Sequence, residues 1–403
     1  MASGAGWAPW APAGAAIGLR EADRDATLRL RLRGGPGDRD ADAAATRDFL
    51  ARAQAAQAAG AVLFGYLGHE LGPALEGLPL GAPAEPEGLD DALLHVCAPD
   101  ALRVATLPPP PQGPPWPQPE TWAEQGPGFL AATRALLADI ADGRLYQANL
   151  TRSLPVEARL PGASAPDTPA RVLAAVLAAQ PVPYAAWIHD AGRVVVSGSM
   201  ERFLHRDGGV VTTRPIKGTR PRSDEAGADA VARAALLASS KERAENLMIV
   251  DMARHDLGRV ARTGGVEVVS LLEAVGYRTL WHLESEVRAA LRDDVGSAAL
   301  LEATLAPASV TGAPKIAATR RFTELEQRRR GPYCGAIGLL GPGGTIRLSV
   351  GIRLLVDPGA ERPLQIPVGA GIVADSDPER EWEELRWKAR ATLGWLGRVG
   401  RER

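Results

Sequence analysis

YCGAIGLLGPGGTIRLSVGIRLLVDPGAERPLQIPVGAGIV, residues 333–373, is the stretch that decides the fold. Three β-rich runs within it, YCGAIGLL, TIRLSVGIRLLV and LQIPVGAGIV, are separated by turn residues such as GPGG at 341–344, the pattern of an antiparallel meander. Beyond it, residues 377–393 read as a closing helix. Toward the N-terminus, residues 27–33 alternate Leu28, Leu30 and Leu32 with arginines, the period of a half-buried strand. Further strands are expected at 61–67, 92–97, 145–154, 193–196 and 209–213, and helices at 42–59, 128–142, 224–238 and 241–258. Strands and helices do not alternate as βαβ units. The expected class is therefore α+β, with a large antiparallel sheet flanked by helices, rather than a doubly wound fold.

One boundary stands out. LPPPPQGPPWPQP at 107–119 suits neither helix nor sheet and reads as a semi-rigid connector. It divides the chain into an N-terminal region, 1–120, and a larger unit, 121–403. The net charge of −2, with both signs interspersed, gives no reason to expect nucleic acid or an anionic membrane surface. Cys97 and Cys334 are the only cysteines and lie in apolar, strand-like surroundings, which speaks against a disulfide framework or zinc cluster and for a reducing cytoplasm. No apolar run approaches the span of a bilayer.

Acids, amides and a helical apolar pattern coincide in KERAENLMIVDMARHDLG (241–258). A helix there is expected to bury Leu247 and Val250, while Glu242 and Glu245, three apart, share another face. Glu381 and Glu384 repeat that spacing in DSDPEREWEELRWKAR. Such pairs are often only solvated faces, but four carboxylates from two helices also suit one hard cation such as Mg²⁺.

Four more stretches carry candidate chemistry. In TRPIKGTRPR (213–222), Pro215 and Gly218 fix the backbone around Lys217. A surface lysine in a turn is one reading and a nucleophilic amine the other. With an unshifted pKa near 10.4, presenting the free amine at neutral pH costs about 4.6 kcal/mol, which burial or nearby cations reduce; Arg214 and Arg220 are candidates for the latter. Glu201 in SGSMERFL (197–204) follows a strand, a place for a general acid or a solvated charge. PASVTGAPK (307–315) offers backbone amides and hydroxyls, Ser309 among them. Arg353 beside VGAGIV suits a bidentate carboxylate clamp or a salt bridge. No glycine-rich dinucleotide fingerprint, P-loop or GxSxG is present, and neither cysteine sits in a turn suited to a glutaminase nucleophile.

In order, YQANLTR, SGSMERF, RPIKGTR, KERAENLMIVDMARHDLGR, SVTGAPK, RRGPYCGAIG and GAGIVADSDPEREWEE make residues 126–395 resemble the chorismate-utilising enzymes. These include anthranilate synthase component I, aminodeoxychorismate synthase component I and the isochorismate and salicylate synthases. The resemblance implies a sheet sandwich flanked by helices, Mg²⁺ as cofactor and chorismate as substrate. It implies that Glu245 and Glu384 ligate Mg²⁺ with Glu242 and Glu381 in support, and that Glu201 protonates the departing C4 hydroxyl. Tyr333, Arg353 and the backbone of Ala370 and Gly371 match positions that hold carboxylates, and His282 and Ser309 match others that line the pocket.

Two positions separate the family's members. Gln147 stands where water-using members carry a general-base lysine, which fits members that use ammonia. Lys217, in PIKGT, resembles the aminodeoxychorismate synthases, where anthranilate synthases have a small residue. The expectation is a cytoplasmic aminodeoxychorismate synthase component I on the path to 4-aminobenzoate, with ammonia from a separate glutamine amidotransferase subunit. Anthranilate synthase component I is the alternative enzyme. A non-catalytic chorismate-binding homologue is the other, against which the retained Glu201, Glu245, Glu384 and Lys217 speak. Met200, His255, Glu284 and Leu385 depart from the family's pattern, and the acidic signature of a tryptophan-feedback pocket is not found.

Overall fold

The computed structural model describes residues 15–18, 24–35, 37–82, 89–110, 119–157, 160, 168–359 and 362–399. Positions 111–118, most of the proline-rich connector, lie outside the described residues. The N-terminal elements are β1 (Ala15–Gly18), β2 (Ala26–Leu30), α1 (Arg39–Ala58), β3 (Val62–Leu67), α2 (Leu71–Leu75), β4 (Ala92–Cys97) and β5 (Arg103–Thr106). Next come α3 (Gly126–Ala141), β6 (Gln147–Val156), α4 (Thr168–Ala179), β7 (Tyr184–Asp190), β8 (Arg193–Ser199), β9 (Arg202–Asp207), β10 (Val210–Arg214) and β11 (Ile216–Pro221). They are followed by α5 (Ala226–Ala238), α6 (Ser240–Gly258), β12 (Ala261–Gly276), β13 (Leu280–Leu291), α7 (Ser297–Thr304), β14 (Gly312–Ala313) and α8 (Lys315–Glu326). The chain ends in β15 (Ala336–Gly341), β16 (Thr345–Val350), β17 (Leu354–Asp357), β18 (Leu364–Ile372) and α9 (Pro378–Val399).

Among the described residues, a ten-stranded sheet runs β11-β13-β10-β9-β16-β15-β3-β4-β2, with β12 added on β13, and a six-stranded sheet runs β14-β6-β18-β17-β8-β7. Every pairing is antiparallel, as the α+β expectation requires. Strands from ahead of the connector thus share a sheet with strands from near the C-terminus. The smaller sheet has two buried faces. Ala186, Ile188, Val195, Leu354 and Val356 join the core shared with the large sheet, whereas Trp187, Val194, Val196 and Leu355 face the core built with α3, α4 and α9. This period of two is what a pleated strand buried on both sides demands.

Two local expectations change. The meander is not continuous: β15 and β16 form a hairpin in the large sheet, but β17 and β18 belong to the other. Alternation runs unbroken through Gly351-Ile352-Arg353, so hydrophobic period alone does not register the switch of layers. There the Cys334 N–H donates to the Gly351 carbonyl at 2.8 Å and the Gly198 N–H to the Arg353 carbonyl at 2.9 Å, one bond to each side. Helix α6 is also rotated from its expected phase. Asn246, Ile249, Val250, Ala253 and Leu257 are buried, whereas Leu247 is 45% exposed. Asn246 takes the inward position because its amide donates to the Leu283 carbonyl at 3.1 Å and accepts from the Ser285 hydroxyl, so both ends of a buried polar side chain are bonded.

Candidate functional site

The candidate residues gather where β11, at one end of the large sheet, faces β6 and β18 at one end of the small sheet, with α6 and α9 alongside. Gln147 is the first residue of β6 and is fully buried, yet neither atom of its amide has a hydrogen-bond partner. Gly371, on the neighbouring strand, explains how close the walls come. A Cβ at that position would lie 3.0 Å from Gln147 Nε2 and 3.6 Å from Lys217 Nζ. Lys217 lies on strand β11, and its amine points at β18. Gly218 behind it has φ +85°, and a Cβ there would meet Leu236 at 3.0 Å and Glu242 at 3.2 Å, so glycine lets β11 lie against α5 and α6.

Burial lowers the proton affinity of Lys217, Glu245 and Glu201 work against it, and the Lys388 ammonium adds to the lowering. The expected cationic neighbours are engaged elsewhere. Arg220 pairs with Glu242 at 2.6 Å and Arg214 with Glu284 at 3.0 Å. Lys388 was not singled out in the sequence, although WKAR places it four residues after Glu384, on the same helix face.

Glu201 lies between β8 and β9 and is 4% exposed. Its backbone is pinned, since the Val350 N–H donates to its carbonyl at 3.0 Å and its own N–H donates to Ser199 Oγ at 3.3 Å. Met200, where the family's pattern has proline, is buried beside it. Phe203, Leu204, Ile249, Leu257 and Val350 line the apolar recess behind the carboxyl and Ser309. Burial consequently pushes Glu201 up to about 7, against the Ser309 hydroxyl, the Lys217 amine and the Ile216 N–H, which donates to Oε1 at 3.4 Å.

The four helix acids are each held differently. Glu381 accepts from the Ser376 hydroxyl at 2.7 Å and lies 3.9 Å from Lys241 Nζ; Glu384 pairs with Lys388 at 2.7 Å. Burial raises Glu245 against the Lys217 and Lys241 ammoniums, and the charges of Glu381 and Glu242 add to the rise. Glu242 spends one oxygen on Arg220, while its other, buried oxygen has no hydrogen-bond partner. Among the described residues no three acid, His or Cys side chains are already drawn together as a metal site. The donor set still fits Mg²⁺, because it is all oxygen, mutually repelling and carries one orphaned buried carboxylate oxygen.

On the opposite side, a Cβ at Gly369 would lie 3.1 Å from Tyr333 Oη, and Lys388 Nζ donates to the Gly369 carbonyl at 3.1 Å. Arg353 stands at the crossing between sheets, not on a strand as expected, with φ +53°, and its guanidinium donates to the Lys388 carbonyl at 3.3 Å. His282 on β13 meets Thr219 Oγ1 through Nδ1 at 3.0 Å, and its buried Nε2 has no partner. Burial and Arg353 push it down to about 4, so the ring is neutral at pH 7. Ala370 is buried in β18. His255 points to solvent at 78% side-chain exposure, and Leu385 is core.

Residues 18–394 match the family model described as chorismate binding enzyme. Anthranilate synthase component 1 1 of Haloarcula marismortui is 41% identical over 254 residues, 63% of this chain and 50% of that protein. An aminodeoxychorismate synthase of Streptomyces pristinaespiralis is 42% identical over 258 residues, 64% of this chain and 35% of that protein. The chain thus spans half or less of the length of these curated relatives. The structure of anthranilate synthase component I from Streptococcus pneumoniae superposes with a TM-score of 0.73 at 22% identity, covering 95% of this chain and 92% of that one, so the fold is the same. No helix among the described residues is long and apolar enough to cross a membrane.

Proposed function

The chain belongs to the chorismate binding enzyme family, and on that premise we propose that it converts chorismate and ammonia to 4-amino-4-deoxychorismate and water, as an aminodeoxychorismate synthase component I. The observation that carries the reading is Lys217, whose amine points at Gly371 of β18 next to the unpartnered Gln147 amide; burial lowers its proton affinity and raises that of Glu201. In this reading Lys217 Nζ attacks C2 of the ring, the ring double bond shifts, and the C4 hydroxyl leaves as water with the proton of Glu201. Ammonia adds at C4, the double bond shifts back, and the Lys217 amine is expelled. Splitting one difficult substitution into two lowers each barrier.

Gln147 faces the reacting ring with an uncharged amide. Ammonia already has a lone pair and needs no general base at that position. Tyr333, Arg353 and the backbone of Ala370 and Gly371 hold the carboxylates, and neutral His282 and Ser309 line the pocket. Glu245 and Glu384 would ligate Mg²⁺, with Glu242 and Glu381 supporting. The chemistry such an ion supplies is Lewis-acid polarisation of the ring carboxylate. A separate glutamine amidotransferase subunit is the proposed source of ammonia.

The 41% identity to an anthranilate synthase favours a second reading, in which ammonia enters at C2 and pyruvate is lost. Mass spectrometry of the products from chorismate, Mg²⁺ and ammonium separates the two. The 4-amino product retains its enolpyruvyl group, whereas anthranilate with pyruvate would overturn the proposal.

A further inference from the structure

Glu284 is 1% exposed, on β13 directly across from Ile216, whose N–H holds Glu201. It accepts from the Tyr277 hydroxyl at 2.8 Å and pairs with Arg214 at 3.0 Å. Arg214 is shared with Glu273 and Glu286, each at 3.8 Å, and Arg202 reaches Glu286 at 3.5 Å. Three carboxylates here face two guanidiniums, so the cluster is net negative when all are ionised. A buried negative charge beside a second carboxyl disfavours that carboxyl's ionisation.

We propose that Glu284 is a positioning residue that keeps the proton on Glu201, and this rests on the reading of Glu201 as the acid that donates to the departing hydroxyl. The groups facing Glu201 sort by sign. Ser309, Lys217 and the Ile216 N–H favour its charged form, and Glu284 opposes them. Burial raises Glu284; of the groups facing it, Arg214, Tyr277 and Arg202 favour its charge, and Glu273 does not. Glu284 thus favours the neutral form of Glu201, the state in which it can donate a proton.

The test uses the full chain, its Glu284→Gln and Glu284→Leu variants, and infrared difference titration of the protonated-carboxyl band that Glu201→Gln removes. Thermal melting checks that each variant folds, and either variant suffices. The band is expected to titrate near pH 7 in the parent and about 1 unit or more lower without Glu284. The alkaline limb of kcat/KM should move with it, and a 1-unit move lowers the rate at pH 7 about fivefold. A band that stays in place in the folded variants overturns the role of Glu284 and leaves Glu201 as the acid. If the parent shows no band that Glu201→Gln removes, the reading of Glu201 falls and the role of Glu284 with it.

Discussion

Gln147 and Lys217, from different sheets, close on the same point of β18: the space a Cβ at Gly371 would occupy is 3.0 Å from the amide nitrogen of one and 3.6 Å from the amine of the other. Gly371→Ala should therefore push the amide or the amine aside, with a loss in kcat/KM of about a hundredfold. The melting temperature should hardly move. Unchanged kinetics in the alanine variant would show that the two groups are not held in register by this contact.

Replacing Lys217 tests the covalent step. Lys217→Ala should lose the 4-amino product, and either fall silent or divert ammonia to C2. Products from chorismate, Mg²⁺ and ammonium, resolved by mass, give the answer; 4-amino turnover at the parent rate would remove the nucleophile from the mechanism.

Glu201 links function to stability. Its carboxyl is raised from 4.5 to about 7 by burial. Between those values the folded chain keeps a proton that the unfolded chain has released, so stability falls as pH rises through the interval. Above it the deficit is of the order of 3 kcal/mol. Glu201→Gln should then melt higher than the parent at pH 8 and show no such gain at pH 4, while losing activity at both. A variant that is less stable at pH 8 would contradict the shift.

Metal binding has a readout apart from turnover. If the acids of α6 and α9 hold Mg²⁺, the ion should raise the melting temperature, by about 2.7 kcal/mol of stability at a hundredfold excess over Kd. Chelation should reverse the gain, and Glu245→Gln or Glu384→Gln should abolish it. An equal gain in those variants would place the ion elsewhere.

Much of the architecture is legible because strand and helix periods differ. Leu30 and Leu32 are buried as the alternation demands, and β8, α5 and α9 begin within two residues of their expected starts. The layer switch at 351–353 is not legible, since period two is preserved on both sides of it. The phase of α6 misleads for another reason: Asn246, polar by composition, is buried by its bonds to β13, and Leu247 is displaced outward. The site residues rest on motif resemblance more than on period. No pattern says that Arg214 and Arg220 turn to carboxylates, because those partners come from β12, β13 and α6, well away in sequence.

Arg353 sits at the seam where the backbone leaves one layer for the other, fastened on one side through Gly351 and on the other through Gly198. The guanidinium is thus mounted on the joint between the two walls, while the helices packed on those walls, α6 on one and α9 on the other, are tied directly to each other by the 3.9 Å contact of Lys241 with Glu381.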